Sequence, residues 1–555
     1  MTALFSVFDR ISATRLARAI TLAVVCFITF FVNNDVIIPD IMESRNIITA
    51  REMVADDNWI VTTMNGDYRF EKPPLPTWFT AAAEAACPDN LSLQRGMAGV
   101  AAIMLTLFFY LFASRVLRTE PMIPTLLLLT CYNVILMGRT ASWDIYCHAF
   151  MAGGIYFLAR ALLADGKATA QFFWAGLFTG LSILSKGPVS LYALFLPFLI
   201  SFCIFFRTGA RGKTGGIILM VATAIVTGCW WYAYIYIFHS DVVMAVARKE
   251  SGAWVNHNVR PWWYYWQFFL EAGVWSLLLL TSIFLPLLDR RAPRNRSYLF
   301  ALVWMALSLI LLSCLPEKKP RYLLPLLIPA SYAMGCTLTY WREFFAGRCS
   351  GSRAESLLFS INAWLLAVVI AALPAAAWFA LVAKGFLSIS GWAAFSVFFI
   401  CIAIYTAATA IRRRPADTLV AVTVLFLVAE LFGFPNLRNI INNPDRRSIE
   451  LTRDDPRLDG VAFYHDTEEP LRIELVYAAH RKIRPLDLSS ADSVAHALPC
   501  AILTHGSAAD YLAPRLLEQV DTLRIGTFDD NRRPRSSKRH NPDFLYTVTL
   551  LTPRQ

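Results

Sequence analysis

Eight consecutive residues, Arg69-Phe70-Glu71-Lys72-Pro73-Pro74-Leu75-Pro76, set an acid and two cations against three prolines. Proline fixes its own backbone angle, and so the direction of the flanking chain. A lysine held this way beside a bilayer can meet a phosphate. The segment lies in a polar stretch from about Asn33 to Gln94, between two apolar runs. It points to chemistry on a lipid-linked substrate. A second group, Gly138-Arg139-Thr140-Ala141-Ser142-Trp143-Asp144, puts a carboxylate at the mouth of an apolar run. An acid at that depth is costly and marks a functional position by default, with a structural pair to Arg139 as the plainer use. A third group is Lys318-Lys319-Pro320-Arg321-Tyr322. Its three cations and phenol suit a doubly ionised phosphate.

Further residues surround these groups. Ser185-Lys186-Gly187-Pro188 adds a cation at a helix break, and Arg260 precedes the aromatic run Trp262-Trp263-Tyr264-Tyr265. Such a run fits a membrane-interface belt. Residues 42–54 are expected to form a helix with Glu43 in its first turn, where a carboxylate is favoured. Arg45 and Arg51 are its possible ion-pair partners. Glu71, Glu250 and His257 are a dispersed, weak set for a metal. No metal site and no cofactor are expected from them, and a role for a divalent metal stays open. His148 reads as a core histidine. Glu271 and Glu430 read as acids paired within a helix bundle.

The elements that position these groups follow from composition. Of 555 residues, 56% are apolar and only 16% charged, against about 25% charged in soluble domains. The chain therefore reads as a polytopic membrane protein with about thirteen transmembrane helices. Alternate connections are short and basic: Arg115/Arg118, the Lys167 turn, Arg207/Arg211/Lys213, Arg290–Arg296, Arg342–Arg353 and Arg412-Arg413-Arg414. By the positive-inside rule these face the cytoplasm together with the N-terminus. The opposite loops, about 34–94, 139–146, 239–263 and 313–321, then face outward and hold most of the unusual polar residues. The net charge of +11 then reflects topology, and no nucleic-acid partner is expected. No glycine loop of the nucleotide-binding type is present. A membrane-borne activated donor fits better than a soluble nucleotide.

Residues 1–437 are assigned to a transmembrane domain with its first outward loop at about 34–94. Residues 438–555 are assigned to a small outward-facing α/β domain, where charged residues rise well above the chain-wide share. Gly460–Tyr464, Leu498–Thr504 and Phe544–Leu551 read as strands, and Ile473–His480 and Ala508–Val520 as helices. Arg532–His540 reads as a solvated basic loop.

The ordered succession Glu43, Arg51-Glu52-Met53, Trp59-Ile60, Gly66, Arg69-Phe70-Glu71-Lys72-Pro73, Asp144, Ser185-Lys186-Gly187, Pro261-Trp262-Trp263-Tyr264-Tyr265 and Lys319-Pro320-Arg321-Tyr322 resembles the bacterial aminoarabinose (lipid A) transferases of the protein O-mannosyltransferase superfamily. The resemblance covers about residues 15–335. It implies the C-type integral-membrane glycosyltransferase fold. It implies a polyprenyl-phosphate-linked sugar donor and an active site on the outer face of the bacterial inner membrane. The acceptor is lipid A, another glycan or protein, and the leading sugar is a pentose such as 4-amino-4-deoxy-arabinose. Lys72 matches the family's phosphate-contacting lysine and Tyr322 its tyrosine. Asp144 matches an acid at the start of the fourth span. The family usually has adjacent Asp-Glu in the first loop, where this chain has Met42-Glu43 with Asp40 nearby. The family's histidine after the seventh span falls near Ser251. The expected catalytic acids are therefore Asp144, Glu43 and Asp40. The expected donor-phosphate ligands are Lys72, Lys318, Lys319, Arg321, Tyr322 and Arg45, with Glu71, Arg69, Lys186 and Arg260 in support. A transporter or flippase for a lipid-linked sugar would share these spans, cations and acids.

Overall fold

The computed structural model describes residues 6–209, 212–256, 258–288, 295–443 and 445–554. Arg211, His257, Arg290, Arg291 and Arg294 lie outside them. Among the described residues, nine helices are long and apolar enough to cross a membrane, from Leu91–Leu117 to Pro415–Asn436. This is a multi-pass membrane protein.

The chain forms two compact units. One comprises residues up to Asp35, Phe70–Pro76 and Leu91–Asn436; the other comprises Val36–Arg69, Thr77–Asn90 and the chain from Leu437 onward. The second unit thus takes in most of the first polar loop, while Phe70–Pro76 goes with the helices.

In the helical unit, close helix contact is set by small residues. A Cβ at Gly176 would lie 2.4 Å from the Met220 carbonyl oxygen, and one at Gly228 would lie 2.9 Å from that of Gly180. The Thr169–Lys186 and Thr214–Phe238 helices therefore pack backbone to backbone. Helix ends are closed by side chains, as their free carbonyls and amides require. Lys213 donates to the carbonyls of Ala161, Leu162 and Ala164 at the end of the Trp143–Leu163 helix. The Asp417 carboxylate accepts from Ser6 Oγ at 2.6 Å and Phe8 N at 2.9 Å, which docks the N-terminal turn.

The second unit holds a short hairpin, β1 (Thr63–Met64) and β2 (Asp67–Tyr68), and a five-stranded sheet. Its strands are β3 (Ala462–Asp466), β4 (Ile483–Leu486), β5 (Cys500–Thr504), β6 (Val520–Asp529) and β7 (Leu545–Pro553), in the order β4-β3-β5-β7-β6. The β3 pairings with β4 and β5 are parallel, and those of β7 with β5 and β6 antiparallel. Helix Ile473–Ala479 makes the crossover from β3 to β4. The expected helix over Ala508–Val520 is instead two short turns, Ala508–Asp510 and Pro514–Leu517. Pro514 has no amide to continue the first turn and starts the second.

Ile48, on helix Ile41–Ala55, packs into the apolar core built on Phe463, Leu475, Val476, Ile483 and Val548. The Asn65-Gly66 turn has positive φ at both residues, 57° and 80°, which its two residue types accept readily. Asn65 then caps the edge strand β4. Its amide donates to Ile483 O at 2.6 Å, and its oxygen accepts from Ile483 N at 2.8 Å. These contacts explain why residues of the first loop form one unit with the C-terminal sheet.

Candidate active site

In the helical unit, Asp144 occupies the first turn of the Trp143–Leu163 helix and is 2% exposed. The free amides of that turn favour a negative charge. Lys186 is the last residue of the Thr169–Lys186 helix, which Gly187 ends at φ 76°. A cation is favoured there for the converse reason. The two side chains form a buried ion pair. Arg321 and His148 lie close enough to act on the Asp144 charge. Asp144 is thus paired with Lys186. Arg139 instead donates to the carbonyls of Thr29, Val32 and Asn33.

Tyr322 is the centre of the cations. The Lys186 Nζ lies 5.2 Å from its ring centroid, the Lys319 Nζ 5.8 Å and the Arg321 Cζ 5.8 Å. Lys319 pairs with Glu317 at 2.5 Å. The Nε of Arg321 is buried and has no acceptor. Three cations, Lys186, Lys319 and Arg321, therefore stand with two carboxylates, Asp144 and Glu317. The positive excess and the open donor suit a phosphate.

Lys318 departs from expectation. It is 4% exposed, and its ammonium donates to the carbonyls of Arg260 (3.2 Å) and Leu315. Burial draws its pKa below the usual lysine value. Lys318 fixes the loop, and Lys319 carries the available charge. Arg260 takes part through its backbone, with its guanidinium 5.9 Å from the Tyr264 ring.

Lys72 stands apart from this cluster in its pairing. It lies 3.7 Å from Glu250 and is about a quarter exposed. Buried Pro73 and Pro74 follow it, and Phe70 anchors the other side against Trp231 and His239 at 6.1 and 5.6 Å. Glu71 Oε2 is buried without a hydrogen-bond partner. Among the described residues, no group of three or more His, Cys, Asp or Glu could hold a metal ion.

In the second unit, Asp40 is the N-cap of helix Ile41–Ala55. Its carboxylate accepts from the amides of Met42 and Glu43, both at 2.9 Å. Glu43 is 2% exposed. Arg69 is buried and donates to Arg45 O and Thr49 Oγ1, both at 2.8 Å, so it braces that helix. The Nε of Arg45 is buried without a partner. Arg532 was expected in a solvated loop. It donates instead to Pro39 O and sits among the carboxylates of Asp40, Glu474 and Glu43. Burial draws its pKa down, and those acids oppose the shift. Only its position at the start of a basic loop pointed to it in the sequence.

The family profile for dolichyl-phosphate-mannose-protein mannosyltransferases matches residues 71–232, which include Lys72, Asp144 and Lys186. An undecaprenyl phosphate-α-4-amino-4-deoxy-L-arabinose arabinosyl transferase of Pseudomonas fluorescens is 24% identical over 357 residues, 61% of each chain. One from Pseudomonas aeruginosa is 26% identical over 358 residues, 61% of this chain and 62% of the relative. The chain is similar to the aminoarabinose transferases. The matched region spans about three fifths of those relatives' own length. The crystal structure of ArnT from Cupriavidus metallidurans bound to undecaprenyl phosphate superposes with a TM-score of 0.69 at 16% identity, covering 97% of this chain and 98% of that one. Its apo form gives 0.61 at 15% identity, covering 96% and 97%. The fold is that of the polytopic C-type glycosyltransferases.

Proposed function

We propose that the protein is an inverting glycosyltransferase that moves a sugar from a polyprenyl phosphate to an envelope acceptor. The observation that carries this reading is the buried Asp144–Lys186 pair beside the cations of Lys319 and Arg321 and the phenol of Tyr322. The names of the similar proteins supply the donor class, an undecaprenyl-phosphate-linked 4-amino-4-deoxy-arabinose, and the sequence resemblance supplies lipid A as the acceptor.

In this mechanism the acceptor hydroxyl attacks the anomeric carbon. The bond from that carbon to the phosphate oxygen breaks, and its electron pair leaves on the phosphate. Lys319, Arg321, Tyr322 and Lys72 neutralise the charge that develops there, so no proton need be supplied to the leaving group. Asp144 orients the hydroxyl and takes its proton. Glu43 is the alternative acid. The step balances without a cofactor.

Four further helical stretches bring the nine long helices to about thirteen crossings: Arg15–Phe31, Met122–Gly138, Thr169–Lys186 and Leu191–Phe205. With the basic loops inside, the N-terminus is cytoplasmic, the membrane is the bacterial inner membrane, and the sheet-bearing unit is periplasmic.

The test is label transfer. Purified protein is incubated with radiolabelled sugar on undecaprenyl phosphate and an envelope acceptor fraction, beside Lys72→Ala. Label should move into lipid A, and the variant should lose most of that transfer. Label in protein instead would keep the chemistry and change the acceptor, as the mannosyltransferase profile allows. Intact donor carried across a liposome bilayer would replace the transferase with a transporter.

A further inference from the structure

We propose that Tyr265, together with Asn133 and Glu271, positions the loop that carries Lys319, Arg321 and Tyr322. The proposal rests on the phosphate reading of that loop. Tyr265 is 1% exposed, and its hydroxyl serves both backbone groups of one residue. It accepts from Lys319 N at 2.9 Å and donates to Lys319 O at 3.1 Å.

The same segment holds the loop just before this point. Val259 and Glu317 form an isolated antiparallel bridge. Arg260 N donates to Pro316 O, and Lys318 N donates to Asn258 O, both at 3.2 Å. Residues 258–260 thus act as a short template strand for residues 316–318. Side chains on an extended strand alternate in direction. Once the template turns Lys318 inward onto carbonyls, Lys319 (φ −133°, ψ 143°) must turn the other way. The Tyr265 hydroxyl then holds Lys319 through both of its backbone groups.

A second anchor follows one residue later. Pro320 begins the tight turn Pro320–Leu323 that brings Arg321 and Tyr322 round. Its carbonyl accepts from Asn133 Nδ2 at 3.3 Å, and the same amide donates to Glu271 Oε2 at 3.1 Å. An acid within an apolar helix is expensive. Here it fixes the amide that fixes the loop. The aromatic run therefore does more than line a membrane boundary: its fourth member sets the direction of a cation.

The test is a double-mutant cycle on the full-length protein. Tyr265→Phe should raise the donor KM roughly tenfold and leave the acceptor KM unchanged. In a Lys319→Ala background the same change should add less than about twofold, because both remove one interaction. Amide hydrogen exchange at residues 316–322 should quicken in Tyr265→Phe, whatever the chemistry. Glu271→Gln, which still accepts from Asn133, should keep the wild-type donor KM, whereas Glu271→Leu should raise it. Additive effects in the cycle, or a lower melting temperature with wild-type donor KM and unchanged exchange, would overturn the proposal. A wild-type donor KM in Lys319→Ala alone would instead remove the phosphate reading, while faster exchange in Tyr265→Phe would still report the clamp.

Discussion

Two ion clusters in this molecule use the same residue types to different ends. Around Asp89, in the sheet-bearing unit, Arg51 and Arg453 both pair with the carboxylate. Glu84 lies 3.9 Å from Arg51 and accepts from Asp89 N at 3.0 Å. The arginines also donate to the carbonyls of Tyr477 and Ala478. Two cations meet three acids, Asp89, Glu84 and Glu450, the last 3.7 Å from Arg453, and other donors of the arginines end on backbone. Around Asp144, three cations stand with two acids. A cluster with no excess of cations, tied to backbone, is sufficient as structure. A cluster with an excess of cations suits an anion.

The contrast can be broken by substitution. Asp144→Asn should cause the largest effect, a fall in kcat of about a hundredfold or more, with a lower melting temperature because Lys186 is left buried without its partner. Steady-state transfer rates decide this, and wild-type turnover would end the catalytic assignment. Asp89→Asn should cost about 1 kcal/mol of stability at unchanged kcat. Denaturation beside an activity assay would expose a mistaken contrast if turnover fell first.

Proton uptake sharpens the same comparison. Burial, reinforced by Arg51, brings the His480 pKa down to about 4, whereas an unfolded histidine titrates near 6.5. Between those values the unfolded chain binds the extra proton. Stability contributed by neutral His480 is therefore present above about pH 6.5 and is lost as the pH falls toward 4. His480→Asn should flatten the melting temperature across that window, and asparagine accepts the φ of 57° found there. A profile as steep as wild type would assign the loss to the carboxylates. The smallest effect belongs to Asp40→Ala. Loss of a helix N-cap should cost about 1 kcal/mol and leave transfer near the wild-type rate, so a large drop in kcat would move Asp40 from cap to catalysis.

The groups that the structure brings together were legible wherever a residue type was conspicuous in its setting: Asp144 at the mouth of an apolar run, or Lys319, Arg321 and Tyr322 in one short loop. What stayed hidden was the division of labour between neighbours. Lys318 and Lys319 are identical in type, and only the bridge to residues 258–260 turns one inward. Arg532 looked like a solvated cation because its partners, Asp40 and Glu43, are almost 500 residues earlier in the chain. The share of the first loop in the sheet-bearing unit was hidden for the same reason. Asn65-Gly66 signals a turn locally, but its hold on Ile483 depends on long-range packing.

That discontinuous unit has a consequence for biosynthesis. Its first pieces end at Asn90, and its last begins at Leu437, about 350 residues later. At ribosomal rates of about 5–20 residues per second, the early segments wait about 20–70 s for the sheet they pack against. Throughout that interval Ile48 lacks its apolar neighbours from the sheet, and Asn65 lacks its strand. Nascent chains stalled before Leu437 should therefore be easily cut by protease within residues 36–90, and chains released at full length should resist.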